Sequence, residues 1–311
     1  MESGRRHPRP FGFRPARAFT APWTSRRHCL NLIVHAEMSR AGWYDDDPDY
    51  DYRRFWTGRE YEHAAEEVAL RRLLGRDHVA RAVDVGGGYG RLSKLLAGYA
   101  DSVVLVDPSR HQLRLAADYL RAESRVECRH ADAANLLLPD ASVDLLLLVR
   151  VLHHVPDPRA AFTEFARVLT PGGKLVLEFA NGANVINRLR LRLRGRSVPA
   201  EPISVAVASS GTDTKIPYVT HSPHRVLDQL RAAGFEVDAV LSVSNLRSAR
   251  LKRLLPLPVM VAVERLLQPV LGPFWFGPSI WLRLHLPAGP LRPAGDLRSP
   301  GTTADSSASD P

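Results

Sequence analysis

The stretch AVDVGGGYGRL, residues 82–92, places four glycines within five positions directly after a short apolar run. A strand that runs into such a turn builds a nucleotide site in α/β sheets, because glycine lets the backbone turn sharply and approach a ligand closely. The pattern is D-x-G-x-G-x-G, formed by Asp84, Gly86, Gly88 and Gly90. It is not a phosphate-cradling Walker loop, since no Gly-Lys-Ser/Thr string follows. It departs from the dinucleotide fingerprint G-x-G-x-x-G, whose last position is Arg91 here. An acid two residues before the first glycine repels a pyrophosphate and favours a cationic or hydrogen-donating ligand.

Outward from this turn, strand-like and helix-like segments alternate. YEHAAEEVALRRLL (61–74) reads as a helix, with Ala64, Ala65, Val68 and Leu73 on one side. RAVDV, SVVLVD, RVECRH, SVDLLLLVR and KLVLEFA read as five strands, the fourth a continuous apolar run suited to burial on both faces. Helices fall between them, one capped by Ser109 and one, PRAAFTEFARVLT, stopped by PGG. Further on come a helix ending at Gly234 and strands at 236–243 and 279–286, separated by a proline-interrupted helical excursion. NRLRLRLRGR (187–196) suits either an edge strand of period two or an arginine-rich mobile connection. The alternation predicts a parallel sheet with helices on both faces and a ligand site at the carboxyl ends of the strands. Two further acids fall at such ends. Asp107, 23 residues after Asp84, suits a ribose diol; Asp132 suits an adenine amino group, the alternative being a helix or turn cap.

The run AVDVGGGYGRL … VLVDPS … HADAANLLLPDASVDLLLLVRVLHHVPDP … VLTPGGKLVL resembles, motif after motif over residues 80–180, the class I S-adenosylmethionine-dependent methyltransferases, and within them the type 11 methyltransferase domain. The resemblance implies an α/β, doubly wound, mostly parallel seven-stranded sheet, a Rossmann-like methyltransferase fold with one antiparallel strand and here a helical insertion near the C-terminus. It implies S-adenosylmethionine as cofactor. Asp84 is then expected near its amino-acid end, with Gly86, Gly88 and Gly90 turning beneath the methionine part. Asp107 is expected on both ribose hydroxyls, Asp132 on the adenine amino group and Arg150 in the pocket wall. Gly87, Tyr89, Pro108 and Ala133 complete the expected shell. Gly87 stands where the family often has Cys or Ala, and Tyr89 stands where Thr or Ser is common, so its ring is expected to narrow the floor.

His153 and His154, after the fourth strand, are the candidate general bases, since an ordinary imidazole titrates near 6.5. The same stretch also reads as purely structural. Two cysteines, Cys29 and Cys128, make no disulfide framework and no zinc spacing, so no metal site is expected and a reducing, cytoplasmic setting is. The string RVLHHVPDP stands where base-amine methyltransferases carry an Asn/Asp-Pro-Pro-aromatic motif, and neither cysteine is placed as a nucleophile. Both points argue against a nucleic-acid acceptor and leave a small-molecule or lipid-like one. The competing readings are a non-catalytic cofactor-binding protein on the same fold and a dinucleotide oxidoreductase with an irregular fingerprint.

Charge divides the chain into three. Residues 1–40 hold eight arginines and two acids, 41–180 hold 18 basic and 22 acidic residues, and 181–311 hold 16 and 9. The Arg- and Pro-rich segment 1–40 is expected to be a disordered tail, a targeting segment or an untranslated stretch, with Met38 a candidate start. One domain is expected over 41–287, with a core at 80–180 and substrate-cap insertions at 183–225 and 247–276. The end, 288–311, has the composition of a disordered tail. LLPLPVMVAV (254–263), broken by prolines, is too short for a membrane span. Arg247, Arg250, Lys252 and Arg253 beside an apolar run suit an interfacial helix, peripheral to a membrane, a lipid-like acceptor or a helix pair in a dimer. The aromatics Tyr52, Phe55, Trp56 and Tyr61, with Arg59, are expected either to lid the cofactor or to cover the sheet.

Overall fold

The computed structural model describes residues 51–155, 157–199, 202–208 and 215–288. The basic N-terminal segment, Met38 and Cys29 lie outside the described residues, as does the C-terminal segment beyond 288. The chain enters by helix α1 (Glu60–Leu74) and then alternates: β1 (Val79–Val85), α2 (Arg91–Leu96), β2 (Ala100–Asp107), α3 (Arg110–Tyr119), β3 (Val126–His130), β4 (Val143–Leu148), α4 (Pro158–Val168) and β5 (Leu169–Ala180). It continues through α5 (Val185–Arg192), β6 (Ile203–Ala208), β7 (Lys215–Thr220), α6 (Pro223–Ala232), β8 (Glu236–Val243), α7 (Ala249–Leu254), α8 (Leu257–Leu271) and β9 (Ser279–His285).

Seven strands form one sheet in the order β3-β2-β1-β4-β5-β9-β8, and β6 and β7 form a separate hairpin. β1 pairs in parallel with both β2 and β4, so the strand order reverses at β1. β9 runs antiparallel to both of its neighbours, β5 and β8. This is the doubly wound, mostly parallel arrangement expected. Successive strand residues feed opposite layers: Val83, Val85, Leu146 and Leu148 join one buried cluster, whereas Ala82, Leu145 and Leu147 join the other. Each fully buried Leu or Val contributes about 1.5–3 kcal/mol, and burial on both faces is why β4 reads as an unbroken apolar run.

Several elements differ from the sequence expectation. Residues 187–196 neither form an edge strand nor lack structure: Val185–Arg192 is a helix, capped by Asn184, whose side chain accepts from the Asn187 N–H. Ile186, Leu189 and Leu193 fit a helical spacing that the Leu–Arg alternation hides. The hairpin β6–β7 carried no recognised signal. α4 ends at Val168, and β5 begins at the next residue, so PGG lies inside the first part of a strand rather than acting as the stop. The prolines at 256 and 258 do not break the apolar run. They sit at the start of α8, where the missing N–H costs nothing, and the helix continues to Leu271. Leu257–Phe274 is in consequence an 18-residue segment long and apolar enough to cross a bilayer by length and composition alone, with 22% of it buried.

α1 also buries a different face. Ala65 and Leu73 are buried as expected, but Ala64 and Val68 are only half-buried, and Glu62 and Glu66 are buried instead. Both carboxylates have cationic partners from distant elements, which makes their burial tolerable. Glu62 meets Lys252 at 2.6 Å, and Glu66 meets Arg91 and Arg150 at 2.5 Å each. α8 packs across α1 and β8, where the Glu264 carboxylate accepts from the Tyr61 hydroxyl at 2.6 Å and Gln268 Nε2 donates to the Ala65 carbonyl at 2.9 Å.

Candidate active site

A cavity of about 750 Å3, counted with its mouth, opens at the carboxyl ends of β1, β2 and β4. That is the switch point of strand order, where ligands of open α/β sheets sit. Three connections supply its wall: Asp84 to Leu92 after β1, Asp107 to Gln112 after β2, and Val149 to His154 after β4, joined by Tyr52 and Trp56 from the segment before α1.

The glycine turn is shaped by close approach. The Gly86 N–H donates to the Val106 carbonyl at 2.6 Å, and Gly86 has φ of +68°. A Cβ there would lie 2.4 Å from the Val151 side chain, so the position requires glycine. Gly88, at φ of +56°, faces the cavity: a Cβ would meet nothing nearer than Tyr52 at 3.8 Å and Gln112 at 3.9 Å. Its backbone is thus exposed to whatever occupies the space.

Two carboxylates flank the turn. Asp84, only 3% exposed, accepts from the Ser93 hydroxyl at 2.6 Å. Burial pushes its pKa up to about 6, against the opposing pull of Ser93 and Arg91. Asp107 is braced at both oxygens: Oδ2 accepts from the Gly88 N–H at 2.9 Å and Oδ1 from the Ser109 N–H at 2.8 Å. The Ser109 hydroxyl in turn caps α3, accepting from the Gln112 N–H at 3.1 Å.

Charge in the pocket wall is organised around Glu66. Burial works to raise its carboxyl, but the guanidiniums of Arg150 and then Arg91 outweigh this and hold it below the ordinary carboxylate value. Trp56 lies between these arginines, with the Arg91 guanidinium carbon 3.8 Å and the Arg150 carbon 5.0 Å from its ring. Arg150 adopts φ of +60°, a conformation non-glycine residues rarely take, and its N–H donates to the buried Glu178 at 2.9 Å. Arg150 thus lines the pocket, with its charge committed to Glu66. Tyr89 lines the pocket too, its ring edge-on to Tyr52 and to Tyr119, and burial raises its hydroxyl to about 12.

The expected residues are not all brought together. Asp84, Gly86, Gly87, Gly88, Tyr89, Asp107, Pro108, Arg150 and His154 line the cavity. Gly90 lies behind it, as the left-handed N-cap of α2. Asp132 and Ala133 are not in the lining. The exposed Asp132 caps its own turn, accepting from the Ala134 N–H at 2.8 Å, while Ala133 is buried in the core. His153 is also turned inward. Burial, reinforced by His154 and Arg150, drives its pKa well below the ordinary imidazole value, which argues against a base role, whereas the neighbouring His154 ring faces the cavity. The aromatic segment divides: Tyr52 and Trp56 line the pocket, whereas Tyr61 is buried against Glu264 under α8. No lining residue comes from 183–225 or 247–276, so among the described residues these insertions do not cap the cavity as expected.

Sequence reasoning missed Glu66, Arg91 and Gln112. Gln112 is 3% exposed and lines the pocket, and neither polar atom of its amide has a hydrogen-bond partner among the described residues. The same holds for the Trp56 indole nitrogen. Unpaired buried amide and indole groups are costly in isolation and mark a place where a polar ligand completes the bonding. No group of three or more potential metal ligands occurs among the described residues.

Residues 83–177 match the family model described as a methyltransferase domain. The demethylmenaquinone methyltransferase of Clavibacter sepedonicus is 34% identical over 175 residues, covering 54% of this chain and 70% of that protein. A ubiquinone biosynthesis O-methyltransferase of Xanthomonas oryzae is 30% identical over 166 residues, covering 52% of this chain and 65% of that protein. Two mycobacterial relatives, named as probable S-adenosylmethionine-dependent methyltransferases, are spanned over 62% and 46% of their length. The fold matches a Thermotoga maritima S-adenosylmethionine-dependent methyltransferase with a TM-score of 0.53 at 22% identity, over 76% of this chain and 94% of that one. A doubly wound sheet with a glycine turn at its switch point and carboxylates at the ends of β1 and β2 defines a nucleoside-cofactor enzyme. Within that class, the chain belongs to the class I S-adenosylmethionine-dependent methyltransferases, and S-adenosylmethionine is the cofactor of this family.

Proposed function

We propose that this chain moves a methyl group from S-adenosylmethionine to a small, lipophilic acceptor in the cavity between β1, β2 and β4. The observation that carries the reading is the pairing of two buried strand-end carboxylates, Asp84 and Asp107, around a glycine turn whose neighbour Gln112 holds an unpaired amide. These groups fit the cofactor. Asp84 offers a negative charge to the ammonium of its amino-acid end, the Gly88 backbone leaves room beside it, and Asp107, held by two N–H groups, accepts from the ribose hydroxyls. Gln112 supplies a further donor and acceptor on the same side. Asp132 reaches the adenine amino group only if its turn releases the side chain.

When bound, the cofactor supplies an electrophilic methyl on a sulfonium. What the protein then contributes is placement and exclusion of water. Tyr52 and Trp56 close one wall, and the Glu66 carboxylate keeps Arg91 and Arg150 from moving into the space. His154, which lines the cavity, is the candidate to take a proton from the acceptor. The lipophilic acceptor class is supported by relatives named for demethylmenaquinone and ubiquinone methylation and by the aromatic wall.

Thermal-shift titration with S-adenosylmethionine, S-adenosylhomocysteine, NAD and NADP tests the cofactor assignment. A ligand at a hundred times its Kd adds about 2.7 kcal/mol of stability. The expected outcome is stabilisation by the two adenosyl sulfur compounds alone, weakened by about 1.5–3 kcal/mol in Asp107→Ala. Stabilisation by a dinucleotide instead, or unchanged affinity in the variant, contradicts it. Methyl transfer from labelled cofactor to hydroxylated quinones then tests the acceptor class.

A further inference from the structure

The second layer of the molecule carries a surface that the methyl-transfer site does not use. α8 has a buried inner face and an exposed apolar outer face. Its inner face, Met260, Glu264 and Gln268, is buried on α1 and β8. Its outer face repeats at spacings of four, three and four with Val259, Val263, Leu266 and Val270, of which Leu266 is 71% and Val270 62% exposed. The residues that lead into it, 253–258, are exposed without a break and include Leu254, Leu255 and Leu257. At its far end Phe274 is 63% exposed, and its carbonyl accepts from Arg188 at 2.7 Å, which ties α5 to this end. α5 carries a stripe of its own: Ile186, Leu189 and Leu193, the last 80% exposed.

The charge around these stripes has one sign. Residues 184–199 contain five arginines and no acid. Residues 247–276 contain four arginines and a lysine, and their one acid, Glu264, is buried against Tyr61. Arg247 and Lys252 are paired with Glu62. Among the described residues, Arg190, Arg192, Arg194 and Arg196 on one side and Arg250, Arg253 and Arg265 on the other have no carboxylate within ion-pair distance.

We propose that these faces of α5 and α8 seat the protein on a bilayer surface containing anionic phospholipids. An exposed apolar stripe fringed by unneutralised arginines matches the acyl boundary and the headgroup charge together. A second copy docked on the same face about a twofold axis brings arginine onto arginine. A nucleic-acid phosphate chain gives the leucines and valines no partner. The geometry lays α8 along the interface rather than through it, because Glu264 and Gln268 hold its inner face on α1. This surface stands independently of the acceptor's identity.

Sedimentation of the full chain with vesicles tests it. Binding is expected to vesicles of phosphatidylcholine mixed with phosphatidylglycerol, to weaken with added salt, and to be far weaker on phosphatidylcholine alone. Leu266→Glu with Val270→Glu, and separately Arg190→Glu with Arg192→Glu, are each expected to weaken it by about tenfold or more. Unchanged circular-dichroism melts show that the variants fold; the arginine pair, fully on the surface, keeps the test alive if the apolar pair does not. Failure of the unaltered chain to bind mixed vesicles, equal binding to neutral ones, or folded variants that bind as before overturns the proposal. So does a dimer in light scattering that Leu266→Glu splits, which assigns the face to a second copy.

Discussion

Arginine and apolar side chains do opposite work in two regions of this molecule. At the carboxyl edge of the sheet, Arg91 and Arg150 are drawn inward and neutralised by one buried carboxylate, Glu66, with Trp56 against both guanidiniums. On α5 and the outer face of α8, arginines stand without carboxylate partners among the described residues, beside exposed leucines and valines. The first arrangement fixes the shape of a cavity. The second, among the described residues, leaves charge and apolar area directed outward.

The contrast is broken most severely at its centre. Glu66→Ala removes the buried carboxylate that pairs with both arginines of the pocket wall, and it is expected to destabilise the fold by about 3–5 kcal/mol in urea denaturation. A loss below about 1 kcal/mol would mean that the arginines reach solvent and that the wall is not held by charge.

A smaller effect follows from Asp84. Its folded pKa, about 6, lies above the ordinary 3.8, so the folded state holds this proton more tightly than the unfolded state. The stability it contributes is fully present below about pH 4 and is lost as pH rises through about 6, on the order of 2–3 kcal/mol. Asp84→Asn is expected to remove that part of the pH dependence. Because a cationic ligand favours the ionised carboxylate, cofactor affinity is expected to rise over the same interval in the unaltered chain and to stay flat in Asp84→Asn. Calorimetric titration at several pH values checks both, and an affinity independent of pH between 5 and 7 removes Asp84 from the binding set.

At the other extreme, Leu266→Ser on the outer face of α8 is expected to change folding stability by no more than about 0.5 kcal/mol, since the side chain is mostly in water already. A loss of about 2 kcal/mol or more in the same denaturation assay would mean that another part of the chain covers it. That result would collapse the distinction between the two regions.

Much of the cavity was legible before any coordinates, because its parts are local. Asp84, Gly86 and Gly88 belong to one strand and its turn, and Asp107 ends the next strand, so a pattern of strands is enough to bring them to one edge. His154 followed from its place after β4, and Arg150 from what the family resemblance implies. Asp132 occupies the corresponding place after β3, yet its side chain satisfies the Ala134 N–H in its own turn. Short acids at loop starts have this local option, and sequence spacing does not choose between a ligand and a cap. Likewise His153 and His154 are adjacent in sequence and their rings lie 4.0 Å apart, yet His154 lines the cavity and His153 does not. Glu66, Arg91 and Gln112 were not legible, because their roles come from partners 25 to 84 residues away or from the lack of a partner.

By itself the sequence determined the alternation of strand and helix, the parallel sheet that follows from it, the glycine turn and the acids at the strand ends. All of these depend on residues within a few positions of one another and on the period of burial. Only the tertiary structure decided which charges are neutralised. Glu66 lies on a helix whose polar and apolar residues alternate without a clear face, and it became the hub of the pocket wall because β1 and β4 bring Arg91 and Arg150 to it. The leucines of α5, by contrast, found no layer among the described residues to cover them. Desolvation and pairing are properties of what surrounds a side chain, and that is set by contacts between distant parts of the chain.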